Sequence, residues 1–290
     1  MMNKKQSYFL FGAVLVVIIA IVLLFVLHFQ NKPRDILTVS FLNVGQGDAI
    51  FIEAPNKKQI LVDGGGDGSI LRELGSVMPF YDRSIDIVVA THPDKDHIGG
   101  LIDVVQNFSV DQVIRSGAES DTSTFKLFDS LIVRQDIVEH TAERGMRIYL
   151  DEELGIYIDV LHPAYDVSRV QDKNDASIIL RLVYGETEFL LTGDASDRIE
   201  RELVTKGNTE DIQSDVLKLG HHGSKTSSDL EFLQVVQPEL AIVSAGCDNR
   251  YGHPHGEIIN RVKELDIIIL ETCIENMIIL ESDGVNIVVQ

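Results

Sequence analysis

A run of apolar residues, Ile85 to Ala90, leads into Thr91-His92-Pro93-Asp94-Lys95-Asp96-His97-Ile98-Gly99-Gly100, and this junction constrains the chain more than any other stretch. The apolar run reads as a strand. A strand that stops at such a loop projects His92, Asp94, Asp96 and His97 from one short piece of backbone. Imidazole and carboxylate groups at that density suit a pair of divalent ions, His92 and Asp94 serving one, Asp96 and His97 the other. The plain alternative is a polar Asp/Pro turn that happens to hold two histidines. It is weakened by the recurrence of candidate ligands at the ends of later strands.

In Leu61-Val62-Asp63-Gly64-Gly65-Gly66 an acid stands where an apolar strand meets a glycine turn. Asp63 there can steer a ligand histidine through its second nitrogen, or cap backbone amides. Leu190-Leu191-Thr192-Gly193-Asp194 repeats the design, and Asp194 is placed to bridge two ions. Lys218-Leu219-Gly220-His221-His222-Gly223-Ser224 ends another strand with paired histidines. Strand alternation sends neighbours to opposite faces, so one of the two is expected to face the ions. Lys218 reads as an ordinary, partly exposed strand lysine rather than as a support for a phosphate or leaving group.

The 290 residues suffice for one large domain or two small ones. A net charge of -20, from 45 acidic and 25 basic side chains, disfavours a long electrostatic footprint on nucleic acid. It leaves a nucleic-acid substrate open, because two divalent ions bring about four positive charges to the place where a phosphate sits. Cys247 and Cys273 fit either one disulfide or a free buried pair, and there is no Cys-x-x-Cys motif. Residues 9–27 are unbroken apolar sequence, about nineteen residues, enough to span a bilayer core as a helix. No small-residue cleavage site follows, so residues 1–35 read as a cytoplasmic stub, an uncleaved transmembrane anchor and a linker. Lys4 and Lys5 favour a cytoplasmic N-terminus, which places residues 36–290 outside a cell membrane crossed once.

Within residues 36–290, strands cluster in two sets, each ending in helices. The first set ends at the metal loop, with a helix opened by Gly99-Gly100 over Leu101 to Phe108. The second runs from Gly155 to Glu281, with helices at Ser196 to Thr205, Asp229 to Val236 and Glu257 to Leu265. Two sheets face to face with helices outside make a four-layer α/β/β/α sandwich.

Together these motifs resemble the metallo-β-lactamase fold, specifically the branch at the end of the ComEC competence proteins, which are DNA-uptake channels. The resemblance starts at Phe41-Leu42-Asn43-Val44-Gly45-Gln46-Gly47-Asp48-Ala49 and continues through Val62 to Gly65 and His92 to Gly100. It resumes at Asn174-Asp175-Ala176-Ser177, Leu191 to Asp194, Leu217 to Ser224 and Asn249-Arg250-Tyr251-Gly252-His253-Pro254. It implies His92 and Asp94 on one ion, Asp96 and His97 on the other, and Asp194 bridging. His221 or His222 completes the second site, with His221 slightly preferred. Where other members carry a histidine, this chain has the Asn-x-x-Ser of Asn174 and Ser177. Asn174 is then a third oxygen donor, and Ser177 joins Asp63 behind the ligands. Zinc is the first choice of ion; oxygen donors make manganese its rival.

A pair of ions about 3.5–4 Å apart activates a water and stabilises charge on the attacked centre. Asp96, Tyr251 and His253 are the candidate catalytic residues, Tyr251 and His253 by supporting a phosphate or leaving group. The expected function is a membrane-anchored hydrolase of phosphodiesters, DNA or another extracellular phosphodiester, a preference that rests on the resemblance. The alternatives are attack on a carbonyl (lactone, thioester or β-lactam) and a catalytically weak binding module on the same fold.

Overall fold

The computed structural model describes residues 16–19, 22, 35–207 and 209–290. The expected transmembrane helix over residues 9–27 therefore lies almost wholly outside the described residues. Among those described, no helix is long and apolar enough to cross a membrane.

Among the described residues the strands form two sheets. The first joins β1 (Leu37–Leu42), β2 (Ile50–Glu53), β3 (Gln59–Val62), β4 (Ser84–Ala90), β5 (Ser109–Arg115), β6 (Val138–Thr141), β14 (Met277–Ser282) and β15 (Ile287–Val289), in the order β15-β14-β1-β2-β3-β4-β5-β6. The second joins β7 (Arg147–Asp151), β8 (Ile156–His162), β9 (Ile179–Tyr184), β10 (Thr187–Leu191), β11 (Val216–Lys218), β12 (Leu240–Val243) and β13 (Ile268–Glu271), in the order β13-β12-β11-β10-β9-β8-β7.

Apolar alternation builds the layers. Val39, Phe41, Ile50, Ile52, Ile60 and Val62 of the first sheet meet Ile156, Ile158, Leu180, Leu182, Phe189 and Leu191 of the second in one dry layer. The outer face of the first sheet is covered by α1 (Ser69–Val77), α2 (Lys95–Asn107) and α3 (Ser123–Arg134), through residues such as Leu74, Leu101, Val104 and Phe128. The outer face of the second is covered by α4 (Asp197–Lys206), α5 (Leu230–Val236) and α6 (Gly256–Glu264), through Ile199, Leu203, Phe232 and Val262. This is the α/β/β/α sandwich expected from the sequence. Its central strands are buried on both faces, which is why they read as continuous apolar runs.

Topology decides where chemistry can sit. β3, β4 and β5 run parallel, as do β10, β11 and β12. β1 runs antiparallel to β2, and β2 antiparallel to β3, so β1 ends on the same side as β3. The loops after β1, β3, β4, β10, β11 and β12 therefore open on one edge of the sandwich, where open α/β sheets bind ligands.

Two local expectations are corrected. The helix after the metal loop starts at Lys95, not at Leu101, so Asp96 and His97 lie in its first turn. Glycine does not delay it; Gly100 is instead where the backbone of the Gly64 turn comes close, and a Cβ there would lie 1.9 Å from the Gly64 carbonyl oxygen. The second correction concerns the strand Met277–Ser282, which pairs with β1 in the first sheet instead of completing the second set. Of the two readings of the cysteines, the disulfide is the one formed: Cys247 and Cys273 tie the loop after β12 to a short helical turn, α7 (Thr272–Glu275).

Candidate metal centre

The first sheet supplies donors from one contiguous segment. His92 follows β4 after Thr91. Asp94 holds the N-cap position of α2 yet makes no side-chain capping bond, so its carboxylate stays available. The Nε2 of His92 lies 3.9 Å from Asp94 Oδ2. Behind this segment, Asp63 at the end of β3 is fully buried. Its carboxylate accepts from the backbone N–H and the hydroxyl of Thr91, at 2.8 and 2.6 Å. It also lies 2.7 Å from Nδ1 of His97. His97 Nδ1–H thus donates to Asp63, leaving Nε2 as a lone-pair donor. The Thr91 hydroxyl, 3.1 Å from His92 Nδ1, can accept its proton in the same way.

The second sheet supplies donors from separate strand ends. Asp194 follows the turn at Gly193, whose φ of +52° suits glycine. The Ser177 hydroxyl accepts from the backbone N–H of Asp194 at 3.1 Å and lies 3.4 Å from His92 Nδ1. His221 and His222 follow β11 in a left-handed turn, with φ of 47° and 57°. Strand alternation no longer applies there, and both rings turn toward Asp194 Oδ2, His222 Nε2 at 3.4 Å and His221 Nε2 at 3.8 Å. Two consecutive non-glycine residues in this region store strain, a frequent feature of functional sites. Further along the same loop, the buried Glu200 accepts from the Ser228 and Asp229 amides at 2.8 Å each; burial pushes its carboxyl up to about 8.

His222 and His221 differ in their surroundings. His222 is fully buried, with Nδ1 3.3 Å from Asp48 and Nε2 3.7 Å from Asp96. The His221 side chain is 25% exposed and its Nδ1 pairs with the Thr226 hydroxyl at 3.0 Å. The geometry therefore favours His222 over the His221 preferred from the sequence.

A cation fits here on physical grounds. His92 Nε2, His97 Nε2, His222 Nε2 and Asp194 Oδ1 are buried without a hydrogen-bond partner. Buried polar atoms without partners are costly, and these converge. Donor atoms of His92, His97 and Asp194 lie within 4.8 Å of one another; so do those of Asp96, His97 and His222. Burial, with His97 beside it, pushes the His92 imidazole down to about 3, so it is neutral and free to donate its lone pair. Burial disfavours charge on His97 and His222 as well. Yet Asp194, together with Asp63 beside the one and Asp48 beside the other, holds both above the ordinary imidazole range, His222 at about 10. In return His222 and His97 overcome burial and hold Asp194 well below the usual carboxylate range.

The remaining sequence candidates stand apart. Asn174 sits in a short 3₁₀ turn, where its carbonyl accepts from the Ser177 N–H at 3.0 Å and its own N–H donates to Asp172. Tyr251 is half-exposed, its hydroxyl accepting from Arg250 at 2.7 Å. His253 packs 5.5 Å from His221, ring to ring, with a buried, unpartnered Nδ1; burial and the neighbouring His221 push it down to about 4. A cleft of about 590 Å³ opens beside Asp96, lined by Gln46, Lys95, Arg250 and Tyr251 among others.

Sequence reading missed Asp48 and misjudged Lys218. Lys218 is fully buried, not partly exposed, and pairs with Asp48. Asp48 is buried and sits within 4.8 Å of donors from Asp194 and His222. Its signal was present: like Asp63 and Asp194, it stands at a glycine turn beside a strand end. Gly47 lets that turn press on α2, since a Cβ there would lie 1.9 Å from the Asp96 carbonyl oxygen.

Residues 42–246 match the family described as Metallo-beta-lactamase superfamily. ComE operon protein 3 of Bacillus subtilis (strain 168) is 32% identical over 252 residues, covering 81% of this chain and 31% of that protein. Competence protein ComA of Neisseria gonorrhoeae is 31% identical over 249 residues, covering 84% of this chain and 32% of that protein. The chain thus spans about a third of the length of the curated relatives it matches. Among solved structures, the metallo-beta-lactamase fold protein YhfI from Bacillus subtilis superposes with a TM-score of 0.53 at 12% identity, covering 81% of this chain and 96% of that one. At that identity the likeness concerns the fold alone.

Proposed function

The chain belongs to the metallo-beta-lactamase superfamily, whose members are usually metal-dependent hydrolases, and from that premise we propose that residues 36–290 form a dinuclear phosphodiesterase. The observation that carries the reading is the convergence of three unpartnered imidazole Nε2 atoms on the Asp194 carboxylate. His92 and Asp94 would hold one ion, Asp96, His97 and His222 the other, and Asp194 both. When bound, two divalent ions supply Lewis acidity and lower the pKa of a water.

The chain's own residues do the rest. Asp63 and Thr91 hold the Nδ1 atoms of His97 and His92, so those two rings present Nε2 inward, while the Asp48 carboxylate lies 3.3 Å from Nδ1 of His222. Ser177 holds the Asp194 turn at its amide. His253, neutral at pH 7 by the shift given above, offers a hydrogen bond rather than a charge to a bound phosphate or its leaving group. Lys95 and Arg250 line the cleft beside Asp96 and attract the anionic substrate. The preference for a phosphodiester is supported by the likeness to proteins named for competence and by a donor set rich in oxygen. Zinc is the first expected ion and manganese its rival. The apolar segment 9–27 would anchor this domain in the cell membrane, on its outer side.

A panel on the full chain in detergent tests the reading: bis-nitrophenyl phosphate against lactone and β-lactam substrates, with Zn²⁺ and Mn²⁺. Turnover of the phosphodiester alone is expected. Turnover of a carbonyl substrate in its place would move the chain to the second reading, and turnover of none would favour a binding module.

A further inference from the structure

Lys218 ends β11 with its side chain turned into the centre of the site, and it is fully buried. Its ammonium donates to the Gly193 carbonyl at 2.9 Å, pairs with Asp48 Oδ2 and lies 3.8 Å from Asp194 Oδ1. Its own backbone is pinned, because the Thr192 hydroxyl donates to its carbonyl at 2.7 Å. A buried ammonium with two anionic neighbours is a charge the fold has placed, since a long cation is rarely buried without such pairing.

Two facts give that charge a role. First, Asp48, Asp194 and His222 offer donor atoms within 4.8 Å of one another, a third grouping able to hold an ion, and the ammonium of Lys218 contacts both of its carboxylates. Second, five carboxylates crowd the cluster: Asp48, Asp63, Asp94, Asp96 and Asp194. Asp48, Asp63 and Asp194 are buried while Asp94 and Asp96 are partly exposed, and Lys218 is the lysine buried against two of the buried acids, Asp48 and Asp194.

We propose that Lys218 acts as a built-in third cation. It holds Asp48 beside His222 rather than as a ligand and limits the site to two exchangeable ions. The proposal rests on the dinuclear reading given above.

The test measures ions bound per chain and the affinity for Mn²⁺ and Zn²⁺, with melting temperature alongside, on the full chain in detergent. Removing a positive charge about 4 Å from the bridging carboxylate should tighten ion binding, and removing a negative one should loosen it. Lys218→Met is expected to bind Mn²⁺ at least ~tenfold more tightly than wild type or to take an additional ion, with a larger gain in melting temperature on metal addition. Asp48→Asn is expected to bind at least ~tenfold more weakly, and the double variant to return to within about threefold of wild type. A purely structural lysine would weaken binding in both single variants, and that result overturns the proposal. If Lys218→Met does not fold unaided, the readout becomes refolding in Mn²⁺: rescue supports the proposal, indifference to Mn²⁺ overturns it. Wild type that binds no ion at all would instead refute the dinuclear reading beneath it.

Discussion

The two sheets reach the same cluster by different means. The first sheet brings His92, Asp94, Asp96 and His97 from one strand end and the first turn of the helix that follows, so their relative positions are set locally. The second brings Asp194 from the end of β10 and Lys218, His221 and His222 from the end of β11. Their meeting depends on the register that sets Leu191 beside Lys218 and on the packing of one sheet over the other. The local half is preformed by chain connectivity. The distributed half is held by side-chain contacts, the Ser177 hydroxyl on the Asp194 amide and the Ser227 hydroxyl on the Gly220 carbonyl. Damage should therefore spread further when it strikes the second sheet.

The largest expected effect tests that asymmetry. Asp194→Ala removes the one carboxylate that faces His92, His97 and His222 together, so ion content should fall well below that of His92→Ala, and turnover by on the order of a thousandfold. Atomic absorption on the two variants decides it; equal loading in both would break the comparison and remove the bridging assignment.

The paired histidines give the next effect. His222→Ala should lower ion affinity roughly 10–100-fold or more, while His221→Ala should cost less than roughly tenfold, because only His222 is fully buried, with Nδ1 3.3 Å from the Asp48 carboxylate. Isothermal titration of both variants measures the ranking, and a reversed order would restore His221 as the ligand.

How much of this was legible in the sequence follows the same division. The segment from His92 to His97 could be read because its donors are adjacent in sequence after an apolar run. Asp63 and Asp194 could be read because each stands at a glycine turn ending a buried strand. The choice between His221 and His222 could not, because alternation was applied to residues that had left the strand for left-handed backbone. Lys218 misled for a related reason: its burial is set by Asp48, 170 positions earlier, and by the opposing sheet. The start of α2 was misplaced because Gly99-Gly100 looks like a helix boundary, whereas those glycines serve the close approach of the Gly64 turn.

A smaller effect concerns pH. In protein stripped of metal, His222 holds its proton up to about 10, well above the ordinary 6.5. Its contribution to stability is then complete below about 6.5 and is lost as pH rises through about 10. Melting temperature of the stripped protein should fall across that window, and ion uptake at pH 7 should release protons, seen as a buffer-dependent heat of binding. A stripped protein whose melting temperature rises over the same window would contradict the shift.

The smallest effect is that of salt. Substrate charge is met at the cluster, and the distant acids of a chain with net charge -20 are screened over about 8–10 Å. Turnover of a small phosphodiester should change less than about threefold between 50 and 200 mM salt, against the roughly thousandfold loss of affinity typical of proteins that neutralise 6–10 phosphates with their own Lys and Arg. Steady-state kinetics across that range checks it, and a steep loss would shift substrate capture from the cluster to Lys95 and Arg250.

The most direct measurement counts ions and turnover on the same sample. Purified full-length chain is assayed with bis-nitrophenyl phosphate while bound metal is determined by mass spectrometry, before chelation, after chelation, and after Zn²⁺ or Mn²⁺ is restored. The account predicts two ions per chain at full activity, loss of both ions and activity on chelation, and recovery on restoration. Undiminished turnover in protein shown to carry no divalent ion would contradict it.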